Sequence, residues 1–423
     1  MKRKGLMIIL DGLGDRPVAA FGGATPLEAA NTPHMDEMTA AGRCGLVDTL
    51  YPGMPVDTHT GAGILLGLKP RDAFYLPRGP VEAAGTGLPV MPGEIALRCN
   101  FATLKAEGSG LCIIDRRAGR ISEDTQELAE VLQDISLDDG FTASVRPATG
   151  HRAVMRLSGP GPLPEISDTD PGSGTDPCPP VSTSHSLDAL NPFGEQAAAA
   201  LNRFIHLAHA RLSEHPVNLR RRQQGKPEAN GILTRGAGTI GSIHNLIHQL
   251  GLQAAVVAGE RTLVGLANLF NFTAINQSGF TSMPDTDLAG KVSAAQAALE
   301  THDIVFLHIK APDIHAHDRQ PAAKKDSLEH IDNALLPLLR EDIVVGITAD
   351  HTTDSNTGRH GGDPVPALIY SATGRKDRCR EFGEIHCLDG GLGRISGSAY
   401  LLTLLDEMQC LQNYQTADSP YFI

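Results

Sequence analysis

The segment Gly346–Pro366, GITADHTTDSNTGRHGGDPVP, sets Asp350, His351 and His360 just beyond a short apolar run. Carboxylate oxygens and imidazole nitrogens are the ligands that borderline-hard divalent cations take, Zn²⁺ and Mn²⁺ being the natural candidates. Two other apolar runs end on the same kinds of residue. Leu6–Leu10 (LMIIL) leads into Asp11, and Ile304–Ile309 (IVFLHI) leads within a few residues into Asp313-Ile314-His315-Ala316-His317-Asp318. Any one of these residues alone reads most simply as a solvated loop acid or histidine. Three such clusters together predict a centre for two ions, because unpaired charges rarely crowd together without a ligand. No CxxC pair competes for the metal.

The elements that must position these ligands follow from the runs themselves. Ile343–Ile347 is continuous and mostly β-branched, which predicts a buried strand of a parallel sheet rather than an amphipathic helix. Asp350 then falls at the carboxyl end of a strand, where ligands and catalytic groups collect in open α/β sheets. After Asp11, Asn31 or Thr32 is expected to cap a helix that runs to about Ala41 and stops at Gly42. Gly45–Leu50 reads as a strand. Pro52–Gly67 then reads as a turn and a helix of small residues, and a hydroxyl at its amino terminus meets free N–H groups suited to a phosphate. The bland alternative there is a simple N-cap threonine. A strand over Ala254–Val257 and helices over Thr262–Phe270 and Val292–Leu299 continue the α/β pattern.

Between these two ends the chain changes character. Ile95–Leu104, Leu111–Ile114 and Val154–Leu157 read as strands of a separate sheet whose loops carry Arg98, Arg116, Arg117, Arg120, Arg146 and Arg152, with Arg235 later. Guanidinium forks suit phosphate and carboxylate recognition. About half of them are expected to be surface ion pairs instead. Ser158–Ser184 is rich in Pro, Gly, Ser and Asp without periodicity and reads as a long excursion or linker. Leu190–Ser213 is helical in composition, and Arg220–Arg222 reads as a charged helix end. Since the metal ligands come from both ends, residues 93–244 are expected to be an insertion into one α/β domain formed by 1–92 and 245–423.

The chain of 423 residues is 41% apolar, without Trp and only 4% aromatic. Its 36 basic and 49 acidic residues leave a formal charge of −13. Neither feature suits a nucleic-acid or anionic-membrane binder, although a local basic pocket for an anionic metabolite fits. The apolar run near the amino terminus stops at Asp11, too short for a signal peptide, and no transmembrane span is expected. Seven scattered cysteines predict reduced thiols and a cytoplasmic protein.

Beyond these patterns the chain resembles the cofactor-independent phosphoglycerate mutases of the archaeal type, within the alkaline phosphatase superfamily. The resemblance spans almost the whole length. It is carried by Ile8-Ile9-Leu10-Asp11-Gly12-Leu13-Gly14-Asp15, Ala30-Asn31-Thr32-Pro33, Arg98-Cys99-Asn100-Phe101-Ala102-Thr103, Asp115-Arg116-Arg117-Ala118-Gly119-Arg120-Ile121, Ala349-Asp350-His351, His360-Gly361-Gly362-Asp363-Pro364-Val365-Pro366 and Gly390-Gly391-Leu392-Gly393-Arg394. It implies an alkaline-phosphatase-like doubly wound α/β sheet with a smaller inserted α+β domain that grips the substrate. It also implies two divalent ions, often manganese. Carried over by motif, Asp11, Asp350 and His351 would hold one ion with the nucleophile's oxygen, and Asp313, His317 and His360 the other. The concentration of arginines in an acidic chain points to Arg98, Arg116, Arg117, Arg120, His151 and Arg235 as the substrate-binding set. The reaction the resemblance implies passes a phosphoryl group from one hydroxyl of phosphoglycerate to the nucleophile and back to the other hydroxyl.

The family usually has serine as nucleophile, then an acidic residue, with a histidine four positions after the serine. Counted back from Leu66-Gly67, these positions hold Thr58, His59 and Ala62, with Thr60 as the competing hydroxyl. The family's lysine is replaced by Val264. The expectation is therefore a phosphoglycerate mutase-like isomerase that works through phosphothreonine on a small phosphorylated acid. The alternatives are a phosphomonoesterase or mutase for a related phospho or phosphono acid, and an inactive metal-stabilised binding protein. Retention of all six ligands other than the nucleophile speaks against the last.

Overall fold

The structure, a computed structural model, describes residues 3–172, 176–241, 243–338, 340, 342–412 and 414. The chain divides into two compact units, Met1–Leu76 with Ile243–Ile423, and Pro77–Ser242. Among the described residues no helix is long and apolar enough to cross a membrane.

The first unit is built on an eight-stranded sheet. In spatial order its strands are Thr273–Ile275, Ala254–Val257, Ile304–Ile309, Lys4–Leu10, Ile343–Thr348, Val365–Tyr370, Arg43–Asp48 and Gly393–Ser396. The first five are mutually parallel, and Val365–Tyr370 runs antiparallel to both neighbours. Every residue of Ile304–Ile309 and Ile343–Thr348 is buried, which is why these strands read as unbroken apolar runs rather than as alternation. Register pairs Leu10 with Ile309 and Ile9 with Thr348, so three adjacent strands end level with one another. The helix expected near residue 32 spans Pro33–Ala41 with Thr32 at its N-cap position, but Thr32 makes no side-chain capping bond. The buried Asp332 carboxylate from helix Pro321–Leu335 instead accepts the N–H groups of His34 (3.2 Å) and Met35 (2.8 Å). A distant acid thus does the work of a local cap.

The second unit is an antiparallel sheet organised on the long strand Ile95–Glu107, which pairs with Gly110–Asp115, Arg152–Ser158 and Gly231–Thr239. Helix Gly194–Ser213 buries Ala197, Leu201, Phe204, Ala208 and Leu212 in its core, a spacing of three and four residues that puts them on one face. The unit begins at Pro77 rather than at residue 93. Helix Arg78–Thr86 packs on Ile95–Glu107 and Gly231–Thr239, and a Cβ on Gly79 would sit 2.2 Å from the carbonyl oxygen of Ala96. Only glycine allows that approach.

The Ser158–Ser184 excursion is pinned along its length, with 173–175 outside the described residues. Thr169 N–H bonds Thr234 O at 3.1 Å, and the chain then pairs with Gly110–Asp115 through Ile113 N–H to Pro179 O and Val181 N–H to Leu111 O, both 2.9 Å. This pairing sets Cys178 beside Cys112, and the two are joined as a disulfide across 66 residues. The expectation of seven reduced thiols is therefore corrected. Cys44, Cys99, Cys379, Cys387 and Cys410 remain free and buried. Peptide mapping without reductant should recover Cys112 and Cys178 in one cross-linked peptide. Replacing both by Ser should lower unfolding stability by up to ~4 kcal/mol for a loop of this length. Separate peptides would contradict the pairing.

Candidate metal centre

The level strand ends bring the expected acids and imidazoles to one place. One donor atom each from Asp11, Asp350 and His351 lie within 4.8 Å of one another, as do those of Asp313, His351 and His360. His317 Nε2 completes the second group at 3.2 Å from both Asp313 Oδ1 and His360 Nε2. His351 lies between the two groups, its ring stacked on His360 with centroids 3.8 Å apart.

The fit to divalent cations can be tested on the polar atoms themselves. Among the described residues, Asp11 Oδ1 and Asp350 Oδ2 are buried with no hydrogen-bond partner. Leaving such oxygens unmatched costs about 1–3 kcal/mol each, more for charged groups. His351 Nε2 stands 3.3 Å from the first and 3.4 Å from the second. The outer nitrogens of the three imidazoles are all engaged: His317 Nδ1 with Gly358 O at 2.9 Å, His360 Nδ1 with Val56 O at 2.8 Å, and His351 Nδ1 with Thr353 Oγ1 at 3.1 Å. A carbonyl can only accept, so His317 and His360 donate through Nδ1 and turn Nε2 inward. Thr353 donates its proton to Asp313 Oδ1 at 2.8 Å and so accepts from His351. This arrangement, outer nitrogens anchored and inner ones convergent, is how proteins orient metal-ligating histidines.

The electrostatics carry the same signature. Burial and then the Asp11 charge push the Asp350 carboxyl up to about 6. Burial alone would lower His351, but Asp350 and Asp11 raise it to about 9. Burial works against ionisation of Asp11, yet Lys310, His308 and His351 hold it well below the usual carboxylate range. Lys310 Nζ lies 2.8 Å from both Asp11 Oδ2 and Asp313 Oδ2, and His308 Nε2 is 3.0 Å from Asp11 Oδ2. Neither residue stands out in the sequence except by its place, His308 within the Ile304–Ile309 run and Lys310 directly after it.

Thr58 is the first residue of helix Thr58–Leu65, with Oγ1 3.3 Å from His351 Nε2. Thr60 is buried, and its hydroxyl lies 3.5 Å from His59 Nε2. Of the two competing hydroxyls, Thr58 is therefore the one set against the ligands. The small residues of this helix have a reason: a Cβ on Gly61 would stand 2.1 Å from the Asp350 carbonyl oxygen. His59, Phe74, Arg359 and Met54 line the mouth beside His317 and His360, around a cavity of about 590 Å³. Val264 sits half-buried on helix Arg261–Leu269, which packs against Thr58–Leu65.

In the second unit Arg116, Arg117 and Arg235 line a separate cavity of about 480 Å³. Asp115 accepts the N–H groups of Arg117 (2.8 Å) and Gly119 (2.6 Å), shaping the turn that presents the first two. The buried Asp170 carboxylate holds Arg116 at 2.7 Å and Arg235 at 3.3 Å. Arg98 is absent from that cavity's lining and lies 3.2 Å from Glu82; burial lowers it to about 10. His151 is driven down to about 4, by burial and then by Arg152, Arg117, Arg98 and Arg120, so it is neutral among these cations. Arg146 and Arg222 are structural, bonding Gly87 O and Glu228 respectively.

Comparison with known proteins bears on the whole chain. A family model described as 2,3-bisphosphoglycerate-independent phosphoglycerate mutase matches residues 39–218. Proteins with that name from Methanopyrus kandleri and Thermococcus kodakarensis are 38% and 39% identical over 413 and 416 residues, 96% of this chain in each case and 96% and 98% of theirs. A solved Pyrococcus horikoshii protein superposes with a TM-score of 0.83 at 32% identity, over 98% of this chain and 100% of its own. A cofactor-independent phosphoglycerate mutase from Thermoplasma acidophilum does so with 0.70 at 30%, over 96% and 100%. Gly61→Ala should displace the helix from Asp350, lower stability by about 1–3 kcal/mol and weaken divalent-metal binding. Thermal unfolding and metal content like those of the parent protein would contradict the close approach.

Proposed function

Because the chain belongs to the 2,3-bisphosphoglycerate-independent phosphoglycerate mutases, we propose that it interconverts 3-phosphoglycerate and 2-phosphoglycerate through a phosphothreonine at Thr58. Asp11, Asp350 and His351 with Thr58 Oγ1 would hold one divalent ion, and Asp313, His317 and His360 a second, Mn²⁺ being the leading candidate and Zn²⁺ the other. When bound, such ions lower the pKa of a hydroxyl and neutralise charge on transferring phosphoryl oxygens. The observation that carries this reading is the Thr58 hydroxyl at the start of its helix, 3.3 Å from His351 Nε2, beside two buried carboxylate oxygens that lack partners.

In the forward step Thr58 Oγ1 forms a bond to phosphorus as the bond to the substrate's ester oxygen breaks, and the proton that Thr58 gives up ends on that departing oxygen. The amino terminus of the helix, the positive end of its dipole, lies toward the transferring oxygens. The released glycerate is retained through its carboxylate by Arg116, Arg117 and Arg235, with Arg98, Arg120 and His151 around them. Its other hydroxyl then takes the phosphoryl group from Thr58. Fixing Arg116 and Arg235 on Asp170 before substrate arrives reduces the ordering cost of gripping the acid.

The replacement of the family's lysine by Val264 supports a second reading: a related phospho or phosphono acid as preferred substrate, or water as final acceptor. One absent cation beside a moving phosphoryl group is commonly worth roughly 10²-fold or more in rate. Incubating 3-phosphoglycerate with Mn²⁺-loaded protein separates the readings, since 2-phosphoglycerate is expected and free phosphate alone would favour hydrolysis. Thr58→Ala should abolish turnover with most metal retained, and trapped phosphoprotein should map to Thr58; phosphate on Thr60 would overturn the assignment. Arg117→Ala should raise KM for the acid roughly 10- to 100-fold, a charge-assisted hydrogen bond being worth about 1.5–3 kcal/mol. An equal rise for a phosphoester without a carboxylate would refute carboxylate recognition.

A further inference from the structure

A second cluster of ligand-type side chains lies in the first unit, built from residues that the phosphoryl chemistry does not use. Cys44 is on strand Arg43–Asp48, Asp377 and Cys379 follow strand Val365–Tyr370, and Cys387 is on helix Glu384–Leu388. One donor atom each from Cys44, Asp377 and Cys379 fall within 4.8 Å of one another. The Cys44 thiol lies within interaction range of both Cys387 and Cys379, whose own S–H groups reach Ala367 O (3.9 Å) and His386 O (3.3 Å). Cys44 and Cys387 are fully buried and Cys379 nearly so, while Asp377 is half-buried, so the cluster has a polar side open toward solvent.

The carboxylate is held in place by the backbone. Asp377 Oδ2 accepts from Cys44 N (2.8 Å) and Gly391 N (2.7 Å), and Oδ1 accepts from Cys379 N (2.9 Å). A carboxylate offers about four lone-pair sites, so three N–H donors fix its orientation and leave one site on Oδ1. Three sulfurs and one oxygen from three separate stretches of chain make a four-donor set.

We propose that Cys44, Cys379, Cys387 and Asp377 form a structural site for a thiophilic d¹⁰ cation, Zn²⁺ by preference. Thiolate-rich sets of four donors select such ions over Mg²⁺ or Mn²⁺, and structural zinc is almost always four-coordinate. Binding replaces three S–H protons, released to solvent, by three sulfur–metal bonds, with no change in oxidation state. The occupied site would clamp the loop after Val365–Tyr370 and helix Glu384–Leu388 to strand Arg43–Asp48.

Cobalt distinguishes this site from the phosphoryl centre, because thiolate-to-Co²⁺ charge transfer absorbs in the near ultraviolet and the other centre offers only oxygen and nitrogen donors. Titrating metal-stripped full-length protein with Co²⁺ should develop this band to saturation at one equivalent. The band should persist in Asp350→Asn, disappear in Cys379→Ser, and be displaced by Zn²⁺. Absence of the band in folded parent protein at saturating Co²⁺ would overturn the proposal without reference to any variant. So would a band that survives Cys379→Ser, or a disulfide among the three cysteines in mass analysis.

Discussion

Asp11, Asp313 and Asp350 are buried around His351, each with a donor atom within 4.8 Å of one of its nitrogens, and no protein interior tolerates that much negative charge unless positive charge is placed among it. The chain supplies part of the answer. Lys310 spans Asp11 and Asp313, and His308 takes the remaining approach to Asp11. These contacts engage the outward Oδ2 atoms and leave Asp11 Oδ1 and Asp350 Oδ2 unmatched, so the unanswered charge is concentrated at the spot where His351 and Thr58 converge. Where the carboxylates point is set by the protein; what completes their charge is left to divalent cations.

A buried lysine holds the loops around this centre. Lys324, wholly shielded on helix Pro321–Leu335, donates to Gly12 O (2.8 Å), Asp15 Oδ2 (2.8 Å), Thr353 O (3.1 Å) and Gly14 O (3.2 Å). Asp15 in turn accepts from Ser355 N at 2.9 Å and from its hydroxyl at 2.5 Å. The ammonium thereby ties the loop after Asp11 to the loop after His351. Removing one partner of such a pair leaves a charge stranded in a dry environment, which costs far more than the pair contributes. Rigid loops matter because a ligand set displaced by an ångström loses affinity and rate together.

The local patterns and the long-range ones differ in how far they could be read. The three strands that end on ligands were legible because both their faces are covered, making each a continuous apolar run. The helix start at Thr58 was legible because it is counted back from a fixed Leu66-Gly67. Helix Arg78–Thr86 was not assigned to the second unit, since its packing depends on Gly79 meeting Ala96, which no periodicity signals. The Asp332 cap, the Lys310 bridge and the Cys112–Cys178 bond join residues 297, 299 and 66 positions apart. A single sequence offers the residue types of such pairs but not their proximity. The thiol cluster was hidden for the same reason, Cys44 lying far along the chain from Cys379 and Cys387.

The interrupted sheet also bears on how the chain is made. Strand Lys4–Leu10 finds its neighbours only at Ile304–Ile309 and Ile343–Thr348, whereas every strand of the inserted unit pairs within that unit. At a synthesis rate of about 5–20 residues per second, the first strand emerges on the order of 15–60 s before either partner. During that interval the inserted unit can complete its own sheet while five consecutive apolar residues wait upstream with both edges unpaired. A strand made long before its partners is thus among the last to fold, and it is the segment for which a ribosome-associated chaperone would have the longest occupancy.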